Sequence, residues 1–219
     1  MTKKLIAHNI CKKFGQLEVL KNIDLEIEEG EIVALLGDSG AGKSTLLKIL
    51  ATFEKYDSGE IFIDNQNIAE LIGDKLAHFR NRHIGFVFQD NNLLPELTAL
   101  ENVCLPRFIH NGEHKKAISD AKKILIQLGL EGRLEHKPAE LSGGEKQRVA
   151  VARALINKPD IIFADEPSGS LDSKNAQFLH EMFINLRDTF HQTFVIATHN
   201  NNLAKLSNRQ VIIQDGKLF

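Results

Sequence analysis

The sequence predicts an α/β fold with a mostly parallel core sheet, an antiparallel β subdomain at the N-terminus and a helical subdomain inserted in the middle. Three observations support this prediction. Short alternating apolar segments come early in the chain, a long stretch with helical spacing follows, and the last third alternates helices with apolar strands. That alternation is typical of parallel sheets, because parallel strands need crossover connections that are usually helices.

Each element follows from its own local pattern. Alternating apolar residues predict antiparallel strands at 5–10, 24–27 and 59–64, and the polar run 64–67 predicts a turn. Residues 97–130 have apolar side chains at helical spacing, and Gly129 ends this run. Further helices are predicted at 145–157 and 175–189. The apolar strands of the core sheet are predicted at 32–36, 84–88, 161–164, 194–197 and 210–213.

The composition indicates a soluble globular chain that can bury a core. Of its 219 residues, 42% are hydrophobic and 26% are charged, and the net charge of −2 gives no reason to expect nucleic-acid binding. Cys11 and Cys104 lie far apart and are expected to be reduced thiols. The sequence has neither an apolar run long enough to span a bilayer nor a signal peptide, so we expect a cytoplasmic protein.

A glycine-rich loop lies between the first core strand and a predicted helix. Glycines let the backbone turn tightly so that successive N–H groups point inward, and the helix start adds the positive end of its dipole. Lys43 would place its ammonium on the β- and γ-phosphates, and Ser44 would offer a hydroxyl to Mg²⁺. The segment therefore predicts the phosphate loop of a nucleoside triphosphatase. Its residues are Gly37, Asp38, Ser39, Gly40, Ala41, Gly42, Lys43, Ser44 and Thr45.

Polar residues at the ends of three later strands predict the rest of a hydrolytic site. Asp165 and Glu166 end one strand, where Asp165 would hold Mg²⁺ and Glu166 would polarise the attacking water. His199 follows another strand and could hydrogen-bond the γ-phosphate and the water. Gln89 follows a third, and its amide could touch the metal and the water. For His199 and Gln89 taken alone, an ordinary structural or surface role remains an alternative.

A second anion site lies about a hundred residues after the first. Ser142 is a candidate helix N-cap, and Gly143 and Gly144 expose backbone N–H groups at the start of a helix. One triphosphate does not need two phosphate sites in one domain. The economical explanation is that this second site closes over a nucleotide bound to another copy of the chain.

Taken together, these motifs resemble the ATP-binding cassette (ABC) family, and the resemblance covers nearly the whole chain. It implies that the chain binds ATP and Mg²⁺. It also implies that two cassettes pair head to tail, and that Asp172, the last residue of the motif 169–172, lies across the interface between them. It also implies that an aromatic residue stacks on adenine, here Phe14 in place of the usual Tyr, although a core position for Phe14 is an alternative. The signature ends in Glu145, where Gln is more usual. The matching residues are 37–45, Gln89, 141–145, Asp165, Glu166, 169–172 and His199.

Within that family, residues 85–103 and 164–172 are similar to one branch. It contains lipoprotein-releasing, macrolide-exporter and cell-division cassettes, and the first type matches best. The resemblance implies one cassette over residues 1–219, with the helical insertion at about 90–155. It also implies a second copy and integral membrane permease subunits as partners, at the cytoplasmic face of the bacterial inner membrane. The alternatives are the other two transporter types, or a non-transport ABC ATPase of DNA repair or translation. ABC ATPases of DNA repair carry long coiled coils, but this chain has no sustained heptad pattern. Those of translation carry two cassettes, but this chain has one.

Overall fold

An antiparallel sheet is built from the early strands of the computed structural model, which describes residues 2–219 apart from the side chain of Asn111. Its strands are β1 (Lys3–Phe14), β2 (Leu17–Glu28), β4 (Ser58–Ile63) and β5 (Gln66–Asn67), in the order β2-β1-β4-β5. Alternate residues of β2, namely Ile23, Leu25 and Ile27, are buried. One face of this sheet therefore packs against the rest of the molecule, as the alternating sequence predicts.

The core sheet has six strands in the order β10-β9-β3-β8-β7-β6. The five from β9 to β6 are parallel, and β10 pairs with β9 antiparallel. β7 and β8 are almost wholly buried, which explains why they are continuous apolar runs rather than alternating ones. The strands are β3 (Ile32–Leu36), β6 (Ile84–Val87), β7 (Ile161–Asp165), β8 (Thr193–Ala197), β9 (Arg209–Gln214) and β10 (Lys217–Leu218).

Helices cover one face of the core sheet, and α1 with the antiparallel sheet covers the other. Ile162 and Ala164 of β7 join a hydrophobic cluster with helices α3 to α6. Their neighbours Ile161 and Phe163 join a second cluster with α1 and the antiparallel sheet. The core sheet is therefore the middle layer. The helices are α1 (Lys43–Leu50), α2 (Asp74–His83), α3 (Ala99–Asn111), α4 (His114–Gln127), α5 (Gly143–Leu155), α6 (Ser173–Phe190) and α7 (Asn201–Leu206).

The predicted fold class is confirmed, with several local differences. β1 and β2 are 12 residues each, longer than the predicted strands, because irregularities in their pairing let them continue. The predicted turn 64–67 narrows to Asp64 and Asn65, since Gln66–Asn67 forms β5. The predicted strand 84–88 ends at Val87, and residues 97–130 form two helices separated at Gly112, whose φ is +65°.

Two α-helices within the described residues were not predicted. α2 buries none of its residues fully, and α7 is only six residues long, so neither carries a strong apolar period. Cys11 and Cys104 are both free thiols, as expected. Within residues 2–219, no helix is both long enough and apolar enough to cross a membrane.

Candidate functional site

The phosphate loop joins β3 to α1, as the sequence predicts. Gly37 has a φ of +150°, and a Cβ added there would lie 2.2 Å from the carbonyl oxygen of Ile213 in β9. Gly42 has a φ of +108°, and an added Cβ would lie 3.0 Å from Leu20 Cδ2. Both positions therefore need glycine, because the neighbouring backbone and core leave no room for a side chain. The loop ends at Gly42, the N-cap of α1, so the helix dipole points at it.

Lys43 and Ser44 are the first two residues of α1. The Lys43 ammonium donates hydrogen bonds to the carbonyl oxygens of Gly37 at 2.8 Å and Asp38 at 3.0 Å, so the cation lies over the loop. The Ser44 hydroxyl donates to Asp165 Oδ1 at 2.8 Å. This bond joins the loop to the end of β7 across 121 residues of sequence.

Ser44 and Asp165 are hydrogen-bonded, Ser44 and Gln89 line the same cavity, and the oxygen atoms of all three residues suit a hard divalent cation. Asp165 supplies a carboxylate, Ser44 a hydroxyl and Gln89 an amide oxygen, which are the ligand types that Mg²⁺ accepts. Burial raises the pKa of Asp165, and the hydrogen bond from Ser44 opposes that rise. A cation beside Asp165 would stabilise its charged form in the same way. The residues present therefore fit the expected metal.

Glu166 and His199 form one unit. The Glu166 carboxylate accepts a hydrogen bond from the backbone N–H of His199 at 3.3 Å, and the same oxygen lies 2.9 Å from His199 Nδ1. The Glu166 backbone has a φ of +45°, which few residues other than glycine adopt. Its backbone N–H donates to the carbonyl oxygen of Ala197 in β8. β8 therefore holds both residues at the end of the core sheet.

A cavity of about 670 Å³ brings most of the predicted site together. Phe14 is at its wall and is 49% exposed, so it is not a core residue and its ring is accessible. Gln89 also reaches the wall, and its Nε2 lies 3.7 Å from where a Cβ on Gly169 would be. Among the described residues, the lining consists of Phe14, Val19, Gly37, Asp38, Ser39, Gly40, Gly42, Lys43, Ser44, Thr45, Gln89, Glu166 and His199.

The signature residues form a separate cluster at the start of α5. Ser142, Gly143 and Gly144 are not part of that lining, and neither is Asp172. A Cβ on Gly144 would lie 2.4 Å from Asn175 Oδ1, and Asn175 donates from its backbone and its side chain to the Asp172 carboxylate, at 2.8 Å each. The signature helix and Asp172 are therefore packed together through Asn175, which the sequence analysis did not identify.

A capping box begins the signature helix. The Ser142 hydroxyl accepts from the backbone of Glu145 at 3.3 Å, and the Glu145 carboxylate accepts from the backbone of Ser142 at 2.8 Å. Arg133 also donates to this carboxylate at 2.8 Å. The bond from Ser142 is the largest influence that lowers the pKa of Glu145 to about 2. Glu145 therefore works as a charged cap where the family usually has Gln.

Two further residues that sequence reasoning missed hold the segment after Gln89. Arg153 of α5 donates to the carbonyl oxygens of Asn91 and Asn92 at 2.6 Å each. Asn102 of α3 is fully buried and bonds the backbone of Leu94 in both directions, at 2.8 and 3.1 Å. Polar residues inside helices carry no signal that would have identified them. Arg153 connects the segment to the signature helix, and Asn102 connects it to α3.

A larger groove of about 970 Å³ lies at the opposite end of the core strands, where β7 and β8 begin. Asp160 and Gln192 line it and come immediately before β7 and β8. Ligands of parallel sheets bind at the carboxyl ends of the strands, so this groove is not the phosphate site.

Together, the fold and the site define an α/β protein built to bind a nucleoside triphosphate at the ends of parallel strands. The family model described as ABC transporter matches residues 20–169, which is more than half of the chain. The chain belongs to this family. The predicted membership, and with it the predicted class of enzyme, an ABC ATPase, is therefore confirmed.

The chain is also similar to named relatives. The lipoprotein-releasing system ATP-binding protein LolD of Bacteroides fragilis is 56% identical over 210 residues, covering 96% of this chain and 97% of that protein. Its counterpart in Cytophaga hutchinsonii is 53% identical over 219 residues, covering all of both chains. A solved dimeric ATP-binding cassette in a post-hydrolysis state, bound to ADP and Pi, is 41% identical with a TM-score of 0.89, covering 98% of this chain and 96% of that chain.

Proposed function

We propose that this chain is the ATP-binding and ATP-hydrolysing subunit of a lipoprotein-releasing complex of the bacterial inner membrane. The observation that carries the proposal is the full-length identity of 53% to a relative named for that system. A relative from Porphyromonas gingivalis with the same name is 54% identical over 97% of the chain. The matches extend over nearly the whole chain rather than over the nucleotide-binding motifs alone.

In this proposal, the cavity residues bind and hydrolyse ATP. The loop N–H groups and Lys43 bind the phosphates, and Phe14 stacks on the adenine. Glu166 accepts a proton from the attacking water, and His199 orients the Glu166 carboxylate while its other ring nitrogen faces the γ-phosphate. Mg²⁺, held by Ser44, Asp165 and Gln89, would neutralise phosphate charge when bound.

A second copy of the chain completes the site. Ser142, Gly143 and Gly144 present a helix N-terminus, but they lie outside the cavity of their own chain. A helix start with exposed backbone N–H groups binds anions. We propose that these residues bind the γ-phosphate held by the partner copy, and that Asp172 lies at the same interface. The dimeric state of the solved cassette supports this arrangement.

The membrane partner is proposed to be a permease subunit that contacts the segment 90–103 from the cytoplasmic side. Leu94 is exposed there, and Arg153 connects the segment to the signature helix. Movement at the ATP site can therefore reach a surface that a membrane protein could bind. The chain itself would be peripheral to the membrane.

The test uses the chain with its co-purifying membrane subunits in vesicles that carry a purified bacterial lipoprotein. Addition of ATP should release the lipoprotein from the vesicles in the presence of a soluble acceptor, as measured by sedimentation. The Glu166→Gln variant is the matched control and should release none. Vesicles that keep their lipoprotein while a small amphiphilic drug is transported would favour the exporter type instead.

A further inference from the structure

Lys12 is a buried cation beside the aromatic residue of the nucleotide cavity. The residue is only 7% exposed, and its ammonium lies 4.8 Å from the centroid of the Phe14 ring. Cations are attracted to the faces of aromatic rings at this distance. Phe14 is half-exposed at the cavity wall, so part of its ring remains free to contact a bound ligand while Lys12 lies against the ring.

The ammonium of Lys12 is held by the segment that follows α1. It donates to Glu54 Oε1 at 2.9 Å and to the carbonyl oxygen of Lys55 at 2.6 Å, and Asp57 Oδ1 lies 4.0 Å away. The bond from Lys12 is the largest influence that lowers the pKa of Glu54. Lys12 is therefore fixed by charged partners rather than free to leave the ring.

This segment also connects the base end of the cavity to the phosphate end. The backbone N–H of Glu54 donates to the carbonyl oxygen of Lys48, near the end of α1. The first residues of the same helix belong to the phosphate site. The Asp57 carboxylate accepts from the backbone N–H of Lys13, next to Lys12 in β1. One short run of chain thus ties the end of β1 to the phosphate-binding helix.

We infer that Lys12 is a positioning residue for the nucleotide base. It fixes the orientation of the Phe14 ring and draws the electron density of the ring toward its ammonium, which favours stacking of an electron-rich purine on the ring. The inference rests on the proposed binding of ATP at this site, with Phe14 under the base. It predicts an effect on ligands that carry a base and none on the phosphates alone.

The experiment compares Mg·ATP with inorganic tripolyphosphate by titration calorimetry, using the wild type, Lys12→Met, Phe14→Ala and the double variant. Met keeps the apolar stem and removes the ammonium. Lys12→Met should weaken ATP binding about three- to tenfold, the size of a partly desolvated cation–π contact, and leave tripolyphosphate binding unchanged. In the Phe14→Ala background it should have no further effect. Lys12→Arg should restore most of the ATP affinity.

Several results would overturn the inference. Equal weakening of both ligands would mean that Lys12 supports the fold or the phosphates rather than the base. An effect of Lys12→Met that persists without Phe14, or no effect of either single variant on ATP, would equally reject it. A wild type that binds no ATP would instead reject the proposed function itself.

A second variant covers the case in which Lys12→Met does not fold. Glu54→Ala removes the counter-ion at a side chain that is 38% exposed, so the fold should tolerate it. It should lower ATP affinity by a smaller factor, again without changing tripolyphosphate binding. An unchanged ATP affinity in this variant would count against the inference.

Discussion

At the scale of single residues, Glu166 is the group whose removal should separate binding from hydrolysis. Glu166→Gln keeps the shape of the side chain but removes the carboxylate that would accept a proton from water. We expect ATP hydrolysis to fall by at least about 100-fold, within the usual range for loss of a general base, while ATP binding is kept. Phosphate release and nucleotide titration measure the two quantities.

Lys43→Ala is the contrasting variant. It removes a cation that lies over the phosphate loop, so it should weaken both binding and hydrolysis. If Glu166→Gln hydrolysed ATP at the wild-type rate, Glu166 would not be the base. If Lys43→Ala kept normal affinity, the cavity would not be the phosphate site.

Glu145 should make stability depend on pH in the acid range. Its pKa falls from 4.5 to about 2 in the folded chain, mainly through the hydrogen bond from Ser142. A carboxylate with a lowered pKa stabilises the fold above its unfolded pKa, and this contribution is lost as the pH falls through the folded value. Wild type should therefore exceed Glu145→Gln in free energy of unfolding by about 1 kcal/mol at pH 7.

Urea denaturation of both proteins between pH 7 and pH 2 tests this. The difference between them should be constant above about pH 5 and should shrink steadily as the pH falls toward 2. A difference that does not change with pH would mean that the charge of Glu145 adds nothing to its capping hydrogen bonds.

At the scale of elements, the segment 90–103 divides into buried and exposed parts. Leu100 and Val103 of α3 are buried and Leu93 packs against the core, so these side chains pack the fold rather than face a partner. Leu94 is 43% exposed and is the residue to change. Leu94→Glu should spare basal ATP hydrolysis but abolish binding of the membrane partner, because a charge buried unpaired at an interface costs several kcal/mol.

Leu206 of α7 offers a matched control, since it too is 43% exposed. Leu206→Glu should leave partner binding intact. Co-purification with the membrane subunit, set beside the basal ATPase rate, compares the two variants. Equal behaviour of the two would place the contact surface elsewhere.

At the scale of the whole molecule, nucleotide should control dimerisation. We expect the Glu166→Gln chain to be mostly monomeric alone or with ADP and to dimerise with Mg·ATP, because the γ-phosphate is shared between copies only in that state. Light scattering under the three conditions measures the change. A dimer fraction that is the same in all three would contradict the shared site.

Gly143 and Gly144 differ in a way that sharpens this test. A Cβ on Gly143 would meet only Leu171 at 3.9 Å, whereas one on Gly144 would lie 2.4 Å from Asn175. Gly143→Asp should therefore fold, keep ATP binding in its own cavity and lose dimerisation, because it places a negative charge against the partner's triphosphate.

Sequence reasoning predicted the parts of the candidate site that depend on local chemistry. The phosphate loop, Asp165, Glu166 and His199 each stand at the end of an apolar strand, so pattern and motif located them. Asn175, Arg153 and Lys12 were not found, because their importance comes from contacts that only the folded chain creates. α2 was missed for a related reason, since it buries no residue fully. The extent of the helical insertion, about 90–155, remains a prediction.

The close approach of Gly37 to the carbonyl oxygen of Ile213 also bears on how the protein is made. The loop is among the early parts of the chain to be synthesised, yet it packs against β9, and the strand before it, β3, pairs with β8 and β9, which are translated more than 150 residues later. Contacts between such distant segments form late in folding. While residues 193–214 are still inside the ribosome, β3 has no partner strands in the core sheet. The phosphate loop can therefore reach its folded conformation only after these residues have emerged.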